Sequence, residues 1–417
     1  RSSGNRVRRP EVVLMQVEVV VVGGGPAGSA AAVTLARGGR SVLVIDKAHF
    51  PRDKCCGDGL TTMALRLGEH LGLDPEPLAD WQPVDSAVVH SPSGRTIRFP
   101  LPSGDGSYAA VVPRMSYDAA LLDLARSAGA EVREGCSFTS IGLLSEGAEL
   151  MVEGLGEVRA SNVVAADGMW SPVRRALGLP DREGRGEWLA FRQYVSGAGP
   201  QAADLHVWFE ADLLPGYAWS FPLPDGRANV GLGVLRERSG PGGRTGQVAA
   251  GLLNRPALRA VLGDGATAED RMSAWPIPAH LDRAVLAHGP VLFAGDAAAA
   301  TDALTGEGIG QALLTGILAG EAVLAGGPPA GIGRRYDKSV RHHLLADHRM
   351  SVVLQHILSR PLGARAALRM AAVSSWSRRN FARWMFEDYQ RALVATPRRW
   401  RRGALGRPGA YPRRLEG

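Results

Sequence analysis

Apolar residues along this chain fall into two alternating textures. Val19 to Val22 is an unbroken apolar run, the pattern of a strand buried on both faces. It breaks at Gly23 to Gly28, and an alanine-rich segment from Ser29 to Arg37 then has helical composition, stopped by Gly38-Gly39. Val42 to Ile45 predicts a second buried strand ending in Asp46. An amphipathic helix is expected over Ser116 to Ala128, returning to a strand at Gly129 to Val132. Alternating segments then predict short antiparallel strands up to Ala165, closed by Asp167-Gly168 and followed by a short helix over Pro172 to Leu177. Val291 to Ala294 repeats the buried-strand pattern before Gly295-Asp296, a glycine-bearing loop and an apolar helix over Ile309 to Leu324. The second texture, from about Glu187 to Pro278, alternates apolar and polar residues. It is rich in aromatics and carries turn signals at Pro224-Asp225-Gly226 and Ser239 to Gly243, which together indicate an antiparallel sheet.

The expected fold is therefore α/β, a Rossmann-type domain interrupted by an antiparallel β-rich substrate domain, with a helical C-terminal region. The boundaries read as an N-terminal extension at 1–14, a nucleotide-binding domain in two parts (15–186 and 281–330), the β-rich domain at 187–280 and a basic helical region at 331–417.

The stretch from Val19 to Asp46 carries the sharpest chemistry. Gly23, Gly25 and Gly28 satisfy G-x-G-x-x-G between a strand and a helix. The first glycine permits a tight turn, the second lets backbone amides approach a pyrophosphate, and the third lets helix and strand pack closely. The helix N-terminus adds partial positive charge. Asp46 sits about 20 residues on, placed for ribose hydroxyls. Strand, loop, helix, strand and acid together predict a dinucleotide site.

Composition narrows the class rather than the function. With 45% hydrophobic and 21% charged residues the chain is ordinary for a globular protein, and its apolar runs are strand-sized or interrupted, so no membrane-spanning helix is expected. Only three cysteines occur, and Cys55 and Cys56 are adjacent, which favours a reducing, cytoplasmic setting. Residues 1–14 lack a secretory pattern, and Met15 directly precedes the first strand. The net charge of +7 is concentrated from Arg360 onwards, where arginines interleave with Trp376, Phe381, Trp384, Met385, Phe386 and Trp400. That region reads either as a helical cap with a solvated basic face or as a peripheral contact with anionic lipid. Nucleic-acid binding is not expected, because no recognition module accompanies the charge.

Further motifs follow in order: FPRDKCCGDGL, VVPRMSYDAALLDLA, AADGMWSPVRRALG, PGYAWSFP and FAGDAAAATDALTGEGIGQALLTG. With GGGPAGSAAAVTLA, the set resembles the geranylgeranyl reductase family of FAD enzymes, within the larger group sharing the p-hydroxybenzoate hydroxylase fold. The resemblance covers about residues 17 to 330. It implies FAD as cofactor and NAD(P)H or another reductant as electron donor. Gly23, Gly25, Pro26, Ala27 and Gly28 would surround the FAD pyrophosphate, with Asp46 and Lys47 at the adenosine end. Arg114 would reach the ribityl-phosphate region, Asp296 a ribityl hydroxyl or a water beside the pyrophosphate, and Asp167 the nicotinamide or pyrophosphate contact of the wider group. Gly306, Gly308 and Ile309 would set backbone amides and a helix N-terminus beside the isoalloxazine, where reduced flavin carries negative charge.

Each assignment has a plainer alternative. Asp296 could cap the next helix, Asp167 could form a turn, and Arg114 could be a surface residue. Tyr217, Trp219 and Phe221 alternate and so share a sheet face, either as core packing or as an apolar wall for a hydrophobic substrate. Cys56 matches a family cysteine near the flavin and is a catalytic candidate, or a small buried hydrophobe. One departure stands out: where the family reads D-P-L-T-G-E-G, this chain has Asp302-Ala303-Leu304-Thr305. Loss of that proline is expected to loosen the loop. The resemblance implies reduction of carbon–carbon double bonds in a hydrophobic, isoprenoid-like substrate. A monooxygenase or tailoring enzyme and a non-redox FAD-containing cyclase are the alternatives, since fold alone does not separate them.

Overall fold

A computed structural model of the chain describes residues 15–102, 106–180, 186–236, 244–386, 392 and 408–412. The N-terminal extension, Ser239 to Gly243 and Trp400 lie outside the described residues.

The apolar runs build the first sheet. Met15–Val22 pairs in parallel with Val42–Asp46 on one side and Gly156–Ala165 on the other. Glu131–Glu134 extends the sheet beyond Val42–Asp46, and Val291–Phe293 lies parallel to Gly156–Ala165. Residues far apart in sequence thus close one sheet of eight strands, and Val19, Val20, Val21, Leu43 and Val44 are fully buried within it. The helix Pro26–Arg37 starts with proline in its first turn, where no amide hydrogen is needed, and ends on Arg37. Its alanines press against the helix Ile309–Leu324. A Cβ on Gly316 would stand 2.1 Å from the Ala27 carbonyl oxygen, so only glycine permits this approach.

Among the described residues the second sheet has eight strands. The hairpin Tyr217–Leu223 and Arg227–Leu235 turns at Pro224-Asp225-Gly226, with Asp225 and Gly226 in the left-handed region. Trp188–Ser196 pairs with Arg227–Leu235 and Ser273–Ile277. Two features were not expected. Ser86–His90 and Thr96–Pro100, from the stretch assigned to the nucleotide-binding half, hydrogen-bond in this sheet. One pairing, Leu205–Trp208 with Ser86–His90, is parallel.

The C-terminal helices Pro329–Val340, Ala346–Leu358, Pro361–Ala371 and Ser375–Phe386 fold back over both sheets. Tyr336 donates to the Phe293 carbonyl at 2.6 Å, and Phe381 packs on Phe99 with ring centroids 4.7 Å apart. Ala410 exchanges backbone hydrogen bonds with Ser107, and Ala410 and Tyr411 are buried against the main core.

Candidate functional site

A cavity of about 970 Å³ runs between the two sheets, lined by the glycine-rich turn on one side and by aromatic strands on the other. Its volume is that of a site for a large ligand.

At the glycine edge, the three motif glycines play different steric parts. A Cβ on Gly23 would lie 2.3 Å from the Ala166 carbonyl oxygen, and one on Gly28 would lie 1.8 Å from that of Gly23. Gly25 instead faces the cavity, where a Cβ would meet only Arg52 Nη2, at 3.5 Å. Pro26, Ala27 and Lys47 line the same edge. Asp46 accepts from the amides of Gly24 at 2.7 Å and Ala48 at 2.8 Å, so its carboxylate is fixed in place.

Arg114 is buried, not a surface residue. Its guanidinium forks onto Asp118 at 2.6 and 2.7 Å and lies beside Cys56. Asp118 also holds Arg52, at 3.0 Å. Asp167 accepts from the Val173 amide at 2.9 Å and so caps the short helix Pro172–Ala176, while still lining the cavity. Burial pushes its carboxyl up to about 6, against hydrogen bonds from Ser171 and that amide. Asp296 opens the turn after Val291–Phe293, and Thr301 donates to it at 3.5 Å.

The loop carrying Ala303 is not loosened. Asp302 Oδ1 accepts from the Leu304 amide at 3.0 Å and from the amide and hydroxyl of Thr305, each at 2.8 Å. Asp302 Oδ2 accepts from the Ser351 hydroxyl at 2.7 Å. The Ala303 carbonyl accepts from Trp188 Nε1 at 3.0 Å and Gln355 Nε2 at 2.8 Å, and the Thr305 carbonyl accepts from the Tyr217 hydroxyl. Side chains from the second sheet and the C-terminal helices thus supply the restraint a proline would have given. The held loop presents Gly306, Gly308 and Ile309 to the cavity at the start of a long helix, and Glu307 accepts from the Gly310 amide at 2.9 Å.

Opposite lies the aromatic face. Tyr217, Trp219 and Phe221 project together, with successive ring centroids 6.0 and 6.0 Å apart. They are wall and core at once: all three line the cavity, yet Trp219 is buried and donates to Asn229 Oδ1 at 2.9 Å. Asn229 in turn donates to the Cys56 carbonyl at 2.9 Å and to Asp58 Oδ2 at 2.7 Å, where the Tyr194 hydroxyl also donates at 2.6 Å. Burial raises Asp58 to about 6 despite those bonds. Burial likewise raises the Cys56 thiol, opposed by Arg114, so Cys56 is held as a neutral thiol at the cavity wall.

Several residues in or behind the cavity wall were missed by sequence reasoning. Lys54 places its ammonium 3.4 Å from the Trp275 ring centroid, and burial lowers it to about 8. Arg192 is buried, and its Nη2 donates to both carboxylate oxygens of Asp53, at 2.6 and 2.7 Å. Ala190, Arg192 and Tyr194 share a face of one strand by simple alternation, a signal present in the sequence. Their meeting with Asp53 and Asp58 depends on long-range packing. Among the described residues, no group of His, Cys, Asp or Glu could hold a metal ion.

Residues 16–314 match the family model described as FAD binding domain. The chain is 34% identical over 316 residues to digeranylgeranylglycerophospholipid reductase 2 of Methanopyrus kandleri, covering 74% of this chain and 76% of that one. It is 35% identical over 324 residues to menaquinone reductase of Mycobacterium tuberculosis, covering 73% and 76% respectively. Its fold matches the crystal structure of a geranylgeranyl bacteriochlorophyll reductase-like protein from Thermoplasma acidophilum with a TM-score of 0.75. That match has 21% identity and covers 92% of this chain and 99% of that one. The chain belongs to the geranylgeranyl reductase family of FAD-binding proteins, and it is an FAD-dependent oxidoreductase.

Proposed function

We propose that this oxidoreductase reduces carbon–carbon double bonds of a hydrophobic, isoprenoid-like substrate held against the Tyr217 strand. The observation that carries the reading is the hydrogen bond from Tyr217 to the Thr305 carbonyl. It joins an aromatic wall suited to hydrocarbon directly to the loop suited to the cofactor, inside one cavity. The reductase names of the two sequence relatives support the same chemistry.

The residues present fit FAD. Gly25 leaves the space a pyrophosphate needs, with Gly23 and Gly28 closed to side chains around it and Arg52 poised above. Asp46 and Lys47 would hold the adenosine end, Asp296 the ribityl region, and Gly306, Gly308 and Ile309 the edge of the ring system. Arg114 would sit behind Cys56 and keep positive potential beside the ring. When bound, FAD supplies hydride transfer, recharged by NAD(P)H or another reductant. The chain's own contribution is orientation, exclusion of water by the aromatic face, and a neutral Cys56 thiol able to hold a proton at the wall.

Anaerobic mixing with NADPH and NADH tests the reading. Bleaching of the flavin by one of them, followed by slow, unproductive reoxidation in air, is the expected result. Oxygen consumption coupled to a hydroxylated product would favour a monooxygenase, and failure of both donors together with artificial reductants would favour a non-redox role.

Peripheral contact with anionic lipid belongs to the same proposal. Leu362, Val373 and Trp376 are 78%, 81% and 74% exposed, and Arg360 and Arg369 are exposed beside them. Met385 of the helix Ser375–Phe386 lines the cavity, so this face would bring the cavity to the lipid. Among the described residues no helix is long and apolar enough to cross a membrane. Serine at both Leu362 and Trp376 should weaken binding to anionic vesicles while leaving flavin content unchanged. Undiminished vesicle binding would remove this part of the proposal.

A further inference from the structure

Register across the second sheet aligns four residues in one row. Tyr217 faces Gly233, Gly233 faces Ala190, and Ala190 faces Trp275. Cross-strand partners share a face, and all four line the cavity. Three strand spacings separate the two aromatic positions, about 14 Å, and nothing larger than a methyl group stands between them.

Two glycines of the strand Arg227–Leu235 show that this emptiness is local. Gly231 and Gly233 lie two residues apart and so point to the same face. The space at Gly231 is taken: a Cβ there would lie 2.2 Å from Trp219 Cζ2 and 2.3 Å from the Phe191 carbonyl oxygen. The space at Gly233 is open, with no atom within 4 Å of a Cβ. Neither residue has positive φ, so glycine is not required there by the backbone. A strand-interior glycine weakens a strand unless something approaches it closely. Gly231 has its ring; Gly233 has only the cavity.

The surroundings make a trench of this gap. Trp219 lies over Gly231 along one side, and Trp188 and Ile277, paired one row further on, border the other. Both end walls are fastened, Tyr217 by its bond to Thr305 and Trp275 by the Lys54 ammonium.

We propose that Gly233 and Ala190 floor a channel seating the hydrocarbon chain of the substrate between Tyr217 and Trp275, and that side-chain size at these two positions sets which chains are accepted. The proposal rests on the hydrophobic-substrate reading above but adds a location and a selectivity rule. The Tyr217 end abuts the 302–308 loop, so a chain lying in the trench would present its unsaturation near the cofactor side.

The test uses FAD-loaded full-length protein and unsaturated prenyl alcohols of two, four and six isoprene units. Affinity is read by quenching of tryptophan fluorescence, and reduction by gain of hydrogen mass after the flavin has been reduced anaerobically with dithionite. Gly233→Val should lower affinity for the two longer alcohols on the order of tenfold to a hundredfold, because it overfills the floor. Gly233→Ala and Ala190→Val should fall between wild type and that variant. Flavin content should be unchanged and thermal stability equal or higher, since a β-branched residue replaces glycine in a strand. An unchanged chain-length profile in folded, FAD-loaded Gly233→Val would overturn the channel, as would failure of every alcohol to bind wild type. Size-dependent binding without mass gain would leave the channel standing and remove the reductase reading instead.

Discussion

The glycine edge and the aromatic face meet in one cavity, yet they are specified in opposite ways. The edge is local: Gly23, Gly25, Gly28 and Asp46 lie within one strand–turn–helix–strand unit, and their spacing alone dictates the geometry. The aromatic face is assembled from strands spread between residues 86 and 277, and its chemistry arises from register. A backbone site for a fixed ligand tolerates little variation. A side-chain wall can be reshaped one residue at a time without disturbing the cofactor edge. Position-specific substitutions should therefore fail totally at the edge and by degrees at the face.

Gly25→Val should have the largest effect, because its side chain would fill the open cavity edge where the proposal seats the pyrophosphate. Flavin content of the purified, folded variant should collapse. Normal occupancy would remove the distinction between edge and face altogether.

Asp296→Ala should follow, weakening FAD affinity more than Asp167→Ala does. Asp167 also accepts from an amide in the first turn of a helix, so its loss should appear mainly as an unfolding free energy lower by about 1 kcal/mol, read by thermal denaturation. Affinities in the reverse order, read by flavin fluorescence on titration, would exchange the two roles.

At the face, Trp219→Ala removes a ring that fills the space over Gly231 and pairs with Asn229. Substrate affinity should fall by about 2 kcal/mol, tens-fold, and stability by about 3 kcal/mol, with donor-dependent flavin reduction retained. A stability loss with full substrate affinity would reduce Trp219 to packing.

The smallest effect concerns pH. Folded Asp58 holds its proton up to about 6, whereas the unfolded carboxyl releases it near 3.8. Between those values the folded state binds more protons, so this group makes stability fall as pH rises. Asp58→Asn should flatten the corresponding part of the melting-temperature profile between pH 4 and 6, roughly the window set by the two pKa values. An identical profile in the variant would mean that Asp58 is not the buried acid described.

The same contrast explains what the sequence disclosed. Val19 to Val22, the glycine turn and the helix Ile309–Leu324 follow from residues in continuous order, as does the alternation of Tyr217, Trp219 and Phe221. The partners of that alternation do not. Nothing near Asp58 in sequence points to Tyr194 or Asn229, and Lys54 meets Trp275 only because the sheets face one another. The expectation of a loosened Ala303 loop missed restraints of both kinds: the local bonds of Asp302 to Leu304 and Thr305, and those from Ser351, Gln355 and Trp188, which lie at least 48 residues away in the chain. Strands Ser86–His90 and Thr96–Pro100 read locally as ordinary alternation, and only pairing assigns them to the second sheet.

The central claim, hydride delivery to an alkene at the junction of edge and face, is tested most directly by an anaerobic single turnover. The protein's flavin is reduced with one equivalent of donor, a prenyl alcohol is added without oxygen, and flavin colour and product mass are followed together. The account predicts that colour returns as the alcohol gains two hydrogens, one equivalent per flavin, and that both changes share one rate. Flavin that stays bleached beside an unchanged but tightly bound alcohol would contradict it.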